Sequence, residues 1–157
     1  MKKVVVLSDT HGNVTDLIKI QAIMAEADLI FHLGDGYTDI NKLGAEILKK
    51  TVRVGGNCDA FGEKEIVTEI EGVKVLLTHG DIYGVKTSLK RLIDRAKESG
   101  ANAVFYGHTH RSFLETIDGI TVCNPGNVYK YSVNKSFAYA VFHNGKITVA
   151  INENAFI

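Results

Sequence analysis

Val4-Val5-Val6-Leu7-Ser8-Asp9-Thr10-His11-Gly12-Asn13 is an unbroken apolar run that ends in a polar, glycine-containing turn. The run is short and β-branched, which suits a buried strand better than an amphipathic helix. Asp9 and His11 then stand where the strand ends, and residues two apart on an extended chain point to the same side. A carboxylate and an imidazole aimed at one spot make half of a shell for a divalent ion. In the competing reading Asp9 caps the next helix and His11 fills a turn. Taken alone, so short a motif favours that plainer reading.

The rest of the chain repeats the pattern. Residues 13–25 read as a helix with Val14, Leu17, Ile18, Met24 and Ala25 on one face and Gln21 interrupting it. Leu29 to Leu33 is a second apolar run, ending in Gly34-Asp35-Gly36. A helix is expected over 38–49, with Gly44 on its apolar side, and a third strand over 51–54 ends in Gly55-Gly56-Asn57-Cys58-Asp59. Strand, helix, strand, helix, strand implies parallel strands joined by right-handed crossovers. Beyond this the order changes. Residues 65–70 and 73–78 form a hairpin at Glu71-Gly72, and the second run closes in His79-Gly80. Residues 85–99 carry apolar side chains at helical spacing and stop at Gly100. A strand over 103–106 ends in Gly107-His108-Thr109-His110. Two further hairpins turn at Asp118-Gly119 and Asn144-Gly145. The expected fold is α/β: two packed β-sheets with helices on the outer faces.

Composition bounds the rest. A chain of 157 residues is expected to form one domain over 1–157, large enough to bury a core without disulfides. Its net charge is zero, so nothing in the balance argues for nucleic acid, though a local basic patch remains compatible. The longest apolar runs fall far short of a membrane span of about 20 residues. Cys58 and Cys123 are far apart and read as reduced thiols in a cytoplasmic protein.

Five polar clusters thus close five strands, and the carboxyl ends of strands are where sites form in open α/β sheets. They supply seven candidate ligands: Asp9, His11, Asp35, Asn57, His79, His108 and His110. Seven nitrogen and oxygen donors exceed the needs of one zinc-like ion and suit two, with one carboxylate bridging. No cysteine belongs to the set, and mixed imidazole and carboxylate ligands admit Mn, Fe, Zn, Co or Ni. Two ions about 3.5–4 Å apart clamp a phosphate and generate hydroxide near neutral pH.

In their order and spacing, Ser8-Asp9-Thr10-His11-Gly12, Leu33-Gly34-Asp35, Gly56-Asn57, His79-Gly80 and Gly107-His108-Thr109-His110 resemble the calcineurin-like metallophosphoesterase family. The short length, with no insertion to form a cap, is similar to its small YfcE-type phosphodiesterases. The resemblance implies a four-layer α/β/β/α sandwich and two divalent ions, manganese foremost. Asp9, His11 and His110 would hold the first ion, Asn57, His79 and His108 the second, and Asp35 would bridge. A hydroxide held between them would attack phosphorus in line with the leaving oxygen. The substrate would be a small phosphate ester, a diester before a monoester, and a homodimer is compatible.

Many relatives carry histidine after the Gly-Asn pair, where this chain has Cys58, so the expectation is either that activity favours esters with good leaving groups or that Asp59 or a water supplies the leaving-group proton. The rival expectation on the same fold is a non-catalytic protein-binding scaffold like the retromer subunit Vps29, which loss of ligands would favour. All seven positions here remain competent to bind metal. Elsewhere, His32 is expected to be a packed core histidine. Asn13 would cap a helix or touch substrate, Arg111 would contact phosphate or lie free on the surface, and Asn124-Pro125-Gly126-Asn127 is either a tight turn or, as its resemblance to an Asn-Pro-Gly-Ser loop in many relatives implies, a loop near the site.

Overall fold

In the computed structural model, which describes residues 1–157, the first strand β1 (Lys2–Leu7) lies inside a five-stranded sheet. Parallel partners β2 (Leu29–His32) and β3 (Thr51–Arg53) lie to one side of it. To the other side are the antiparallel β9 (Phe137–His143) and β10 (Lys146–Asn152). The second sheet has the order β4 (Glu65–Ile70), β5 (Val73–Thr78), β6 (Ala103–Phe105), β8 (Ile120–Asn124), β7 (Phe113–Ile117), with β5, β6 and β8 parallel.

Side-chain alternation on β1 explains how the layers stack. Val4 and Val6 point into the space between the sheets, where they join Phe31, Val75, Leu77, Phe105 and Ala138. Val5 and Leu7 point the other way, onto the helices that cover the first sheet. A strand buried on both faces needs apolar residues at every position, which is why the run is unbroken. A third cluster packs α4 (Lys90–Ser99) on the outer face of the second sheet through Leu92, Ile93 and Ala96. The four layers are therefore helix, sheet, sheet, helix, as expected.

All three expected helices differ from expectation in extent, each for a local reason. The first is two, α1 (Val14–Lys19) and α2 (Gln21–Glu26), broken at Ile20, whose N–H closes back on the Leu17 and Ile18 carbonyls. Gln21 is not a flaw in one apolar face but starts the second helix, and its amide donates to the Leu43 carbonyl at 3.0 Å. The second is a 3-10 turn (Asp39–Leu43) followed by α3 (Ala45–Leu48), because Gly44 between them has φ +103°. The third begins only at Lys90. Val85 is buried as expected, but on a turn, and Gly100 ends the helix in the left-handed region. The hairpin turns at 71–72, 118–119 and 144–145 form as read, with positive φ at both residues of each.

Candidate metal centre

The parallel strands of both sheets end at one edge, and the five polar clusters meet there. Eight non-glycine residues have positive φ. Three of them (Glu71, Asp118, Asn144) occupy hairpin turns. The other five are Asp9, His11, Asp35, His108 and His110, with φ between 44° and 71°. A left-handed backbone at a residue with a side chain is uncommon, and strained conformers persist only where their surroundings hold them. Here cross-links between clusters do the holding. The Asp9 N–H donates to the Gly34 carbonyl and the His11 N–H to the Asp35 carbonyl, both at 2.9 Å. Two glycines let the clusters close up. A Cβ on Gly56 would sit 2.1 Å from Asp35 Oδ1, and one on Gly107 would sit 2.0 Å from Ser8 Oγ.

Both carboxylates divide their oxygens in the same way. Asp9 Oδ2 accepts from the Ser8 hydroxyl and, at 3.0 Å, from the His108 N–H. Its Oδ1 is buried with no hydrogen-bond partner, and it faces His110 Nε2 at 3.1 Å, His11 Nε2 at 3.7 Å and His79 Nε2 at 4.0 Å. Asp35 Oδ1 accepts from the Cys58 N–H at 2.9 Å, while Oδ2 faces His79 Nε2 at 3.2 Å and His11 Nε2 at 3.8 Å. The imidazoles converge likewise. His11 Nε2 and His110 Nε2 are 3.3 Å apart, and His79 Nε2 and His108 Nδ1 are 3.1 Å apart. His79 Nδ1 lies 2.7 Å from the Leu33 carbonyl. A carbonyl can only accept, so Nδ1 carries the proton and Nε2 offers its lone pair to the centre. Donors bound at about 2.1 Å around one ion lie about 3.0–3.4 Å from each other. The short separations within the groups Asp9–His11–His110 and Asp35–His79–His108 match, and both groups could hold a divalent ion. An orphaned, buried carboxylate oxygen at their junction fits the same reading.

Electrostatics agree with the geometry. Burial works against ionisation of Asp9, but the His11, His110 and His79 rings and the Ser8 hydroxyl together hold it well below the usual carboxylate range. Burial likewise opposes Asp35, and His79 with the Cys58 N–H outweighs it, so its value is lowered. His11 is raised, chiefly by Asp9. For His79, burial pulls the value down and the two carboxylates carry it up. Negative charge is thus fixed at the centre, ready for cations.

Asn57 stands apart from the other six candidates. It is exposed, and its amide donates to Cys58 Sγ at 3.6 Å. Cys58, left out of the ligand set in the sequence, lies with its thiol among His11 and Asp35. Burial and the Asp35 charge push that thiol up, so it keeps its proton. Asp59 is not a free acid. Its carboxylate accepts from the N–H groups of Asp35 (2.7 Å), Gly56 (2.8 Å), Gly36 (3.0 Å) and Tyr37 (3.1 Å), which outweigh its burial and hold it ionised. That corrects the expectation that Asp59 supplies a proton; it ties the Asp35 and Asn57 loops together.

Other residues support the turns. His32 is a packed core histidine, as expected. Its Nδ1 accepts from the Gly34 N–H, and its Nε2 lies 3.0 Å from Thr10 Oγ1, whose hydroxyl donates to Asp39. Asp39 also accepts from the Gly12 N–H at 2.8 Å. Nothing in the sequence separates Asp39 from an ordinary acidic residue at a helix start. Asn13 caps α1 and donates to the Val128 carbonyl, and Asn127 donates to the His110 carbonyl at 2.8 Å.

A sheet-on-sheet sandwich whose strand ends gather carboxylates and imidazoles in this order defines a metal-dependent phosphoesterase fold. The chain belongs to the calcineurin-like phosphoesterase superfamily, whose domain it matches over residues 1–146. It is 32% identical over 157 residues to the probable metallophosphoesterase YsnB of Bacillus subtilis, covering 97% of this chain and 91% of that protein. It is 27% identical over 153 residues to the phosphodiesterase MJ0936 of Methanocaldococcus jannaschii, covering 82% and 86%. Among solved structures, a conserved protein described as a predicted phosphoesterase from Streptococcus pneumoniae superposes with a TM-score of 0.76 at 23% identity, covering 96% and 88%. Vacuolar protein sorting 29 from Cryptosporidium parvum superposes with 0.77 at 16% identity, covering 96% of each chain. The phosphoesterase YfcE from E. coli superposes with 0.66 at 22% identity, covering 96% and 98%.

Proposed function

We propose that the protein is a phosphodiesterase that works with two divalent ions, manganese foremost. Asp9, His11 and His110 would hold one ion, Asn57, His79 and His108 the other, with Asp35 between them. The observation that carries this reading is the position of Asp35 Oδ2, within reach of His79 Nε2 in one group and His11 Nε2 in the other. The ions would supply positive charge against the phosphoryl oxygens and acidify a water near neutral pH. The chain's own part is to keep the donors from rearranging as charge moves. Ser8 and the His108 N–H hold Asp9, the Cys58 N–H holds Asp35, and the Leu33 carbonyl fixes the His79 tautomer. Donors fixed in advance cost no reorganisation at the moment of reaction, which is where electrostatic catalysis gains most.

The scaffold alternative rests on likeness of fold alone. Bound metal alone does not separate the two readings, since a Vps29 from Entamoeba histolytica is solved with zinc; turnover does. Hydrolysis of bis(4-nitrophenyl) phosphate with added Mn, with and without chelator, tests the choice. Metal-dependent turnover is the expected result, and its absence with every divalent ion of the set would end the enzyme reading.

A further inference from the structure

The chain is neutral overall, but the rim of the metal centre is not. Lys86, Arg111 and Lys130 line the cavities beside it and form no ion pair, whereas Lys135 is paired with Asp16 at 2.8 Å. The segment from Lys130 to Lys135 borders two of these cavities. One, of about 450 Å³, opens on His11 and Lys130; the other, of about 410 Å³, opens on His110 and Arg111.

An aromatic ladder leads from the candidate ligands into this segment. The Tyr129 ring stands edge-on to His11 with centroids 5.4 Å apart and lies 6.1 Å from His110. Tyr131 stands edge-on to Tyr129 at 5.6 Å. Tyr131 is 74% exposed, so the ladder begins on two candidate metal ligands and ends with a ring in water. The ladder is also held in place. Asn127 accepts from the Tyr129 N–H at 2.9 Å while donating to the His110 carbonyl, so one side chain fixes both the ladder and a candidate ligand.

We propose that Tyr129 and Tyr131 form a subsite for a planar ring carried by the substrate, with Lys130 and Arg111 attracting its negative charge. The substrate class is then a phosphodiester with a nucleoside arm rather than a purely aliphatic diester. Rings stack on tyrosine whatever their hydrogen-bonding edge, so the ladder selects for a planar arm and not for one base. This rests on the phosphodiesterase reading above. The chemistry remains hydrolysis: water adds to phosphorus, one P–O bond breaks, and the departing oxygen takes a proton to give an alcohol and a monoester.

The test is binding of thymidine 5′-monophosphate against 2-deoxyribose 5-phosphate, followed by NMR in chelator-treated and in zinc-supplemented protein. The nucleotide should bind about tenfold more tightly, the scale of one base–aromatic stack, and its thymine methyl resonance should move upfield under the tyrosine ring current. Tyr131→Leu should remove both the preference and the shift, and Tyr131→Phe should keep both. Equal binding of the two phosphates, or a preference that survives Tyr131→Leu, overturns the subsite. Metal-dependent hydrolysis of bis(4-nitrophenyl) phosphate is measured on the same protein. Its absence ends the phosphodiesterase reading and leaves the binding result to stand alone; its presence beside equal binding ends the subsite alone.

Discussion

The candidate metal centre has a fixed wall and an open rim. On the wall, Asp9, Asp35 and His79 are buried, and each atom turned away from the centre is engaged: Asp9 Oδ2 with Ser8 and His108, Asp35 Oδ1 with Cys58, His79 Nδ1 with Leu33. On the rim, Asn57 and Cys58 are exposed and the Asn57 side chain meets only its neighbour. Three of the wall's bonds join residues 23 to 99 apart in sequence, and two of them, Asp9 with His108 and His79 with Leu33, cross from one sheet to the other. The Asn57 bond is local. Charge-handling groups are therefore set by the fold, whereas the groups that reach outward sit on loops a fold can vary.

The largest effect follows from breaking the wall. With Asp35 between both groups, Asp35→Ala should release metal from both and lower turnover by ~10³-fold or more, about 4 kcal/mol in the barrier. Asn57→Ala on the rim should lose one ion and keep the other. Metal counting by mass spectrometry on the two purified variants checks the asymmetry. Equal losses would remove Asp35 from the bridging position.

Next in size is the brace behind the wall. Asp59→Ala leaves four backbone N–H groups without their shared acceptor. Bonds to a charged group are each worth about 1.5–3 kcal/mol, and water can replace some of them at a half-buried site, so a loss of about 4 kcal/mol is expected in urea unfolding. Asp59→Asn, which keeps one acceptor oxygen, should fall between. A loss under about 1 kcal/mol for Asp59→Ala would mean that the loops hold themselves.

The sequence shows the wall better than its brace. Asp9, His11, Asp35, His79, His108 and His110 each follow an apolar run, so the end of a strand and the start of chemistry coincide in the text. The central strands were legible for the same reason, because a strand buried on both faces leaves no polar residue to blur it, whereas the half-exposed β4, β7 and β10 were legible through the hairpin turns that join them to their neighbours. The helices were less so. Periodicity marks most of the residues that face the core, and Ile20 and Val85 are buried at breaks in the backbone, but Ile18, Ala25 and Gly44, all of which it places on apolar faces, are exposed because the helices it implies are broken. The roles of Asp59 and Asp39 depend on amides brought up by other loops, and no spacing within the chain encodes that.

His32 lies behind the wall and supplies a pH signature. Its burial outweighs the nearby Asp39, Asp59 and Asp9 charges, with Arg53 adding to the fall, and pushes it from 6.5 down to about 4. Between those values the unfolded chain takes up a proton that the folded chain refuses. The His32 contribution to stability should be full above pH 6.5 and fall as the pH drops toward 4, by about 3 kcal/mol at ~1.4 kcal/mol per pH unit. His11 and His79 are raised and act with the opposite sign, their contribution complete below 6.5 and lost above it. His108 is lowered and adds to the fall. Urea unfolding in chelator at pH 7 and pH 5 should show the wild type losing stability relative to His32→Gln, a difference in which the His11, His79 and His108 contributions common to both proteins cancel. An unchanged slope in that variant would remove His32 from the account.

The smallest effect belongs to the rim, at Cys58. The thiol lies among His11 and Asp35 and is pushed up, so it keeps its proton where a better acid would give it away. An imidazole there titrates near neutral pH and can protonate a departing alkoxide. Nitrophenolate leaves without help, so Cys58→His should change turnover on bis(4-nitrophenyl) phosphate little. On a diester with an aliphatic leaving group the same variant should gain about tenfold or more. Steady-state rates on the two substrates give the ratio directly. A gain confined to the aliphatic diester would mean that the wall is already adequate and that proton supply at the rim limits the reaction. Equal gains on both would mean that the new ring acts on metal or phosphate binding, and the proton-donor account of this position would fail.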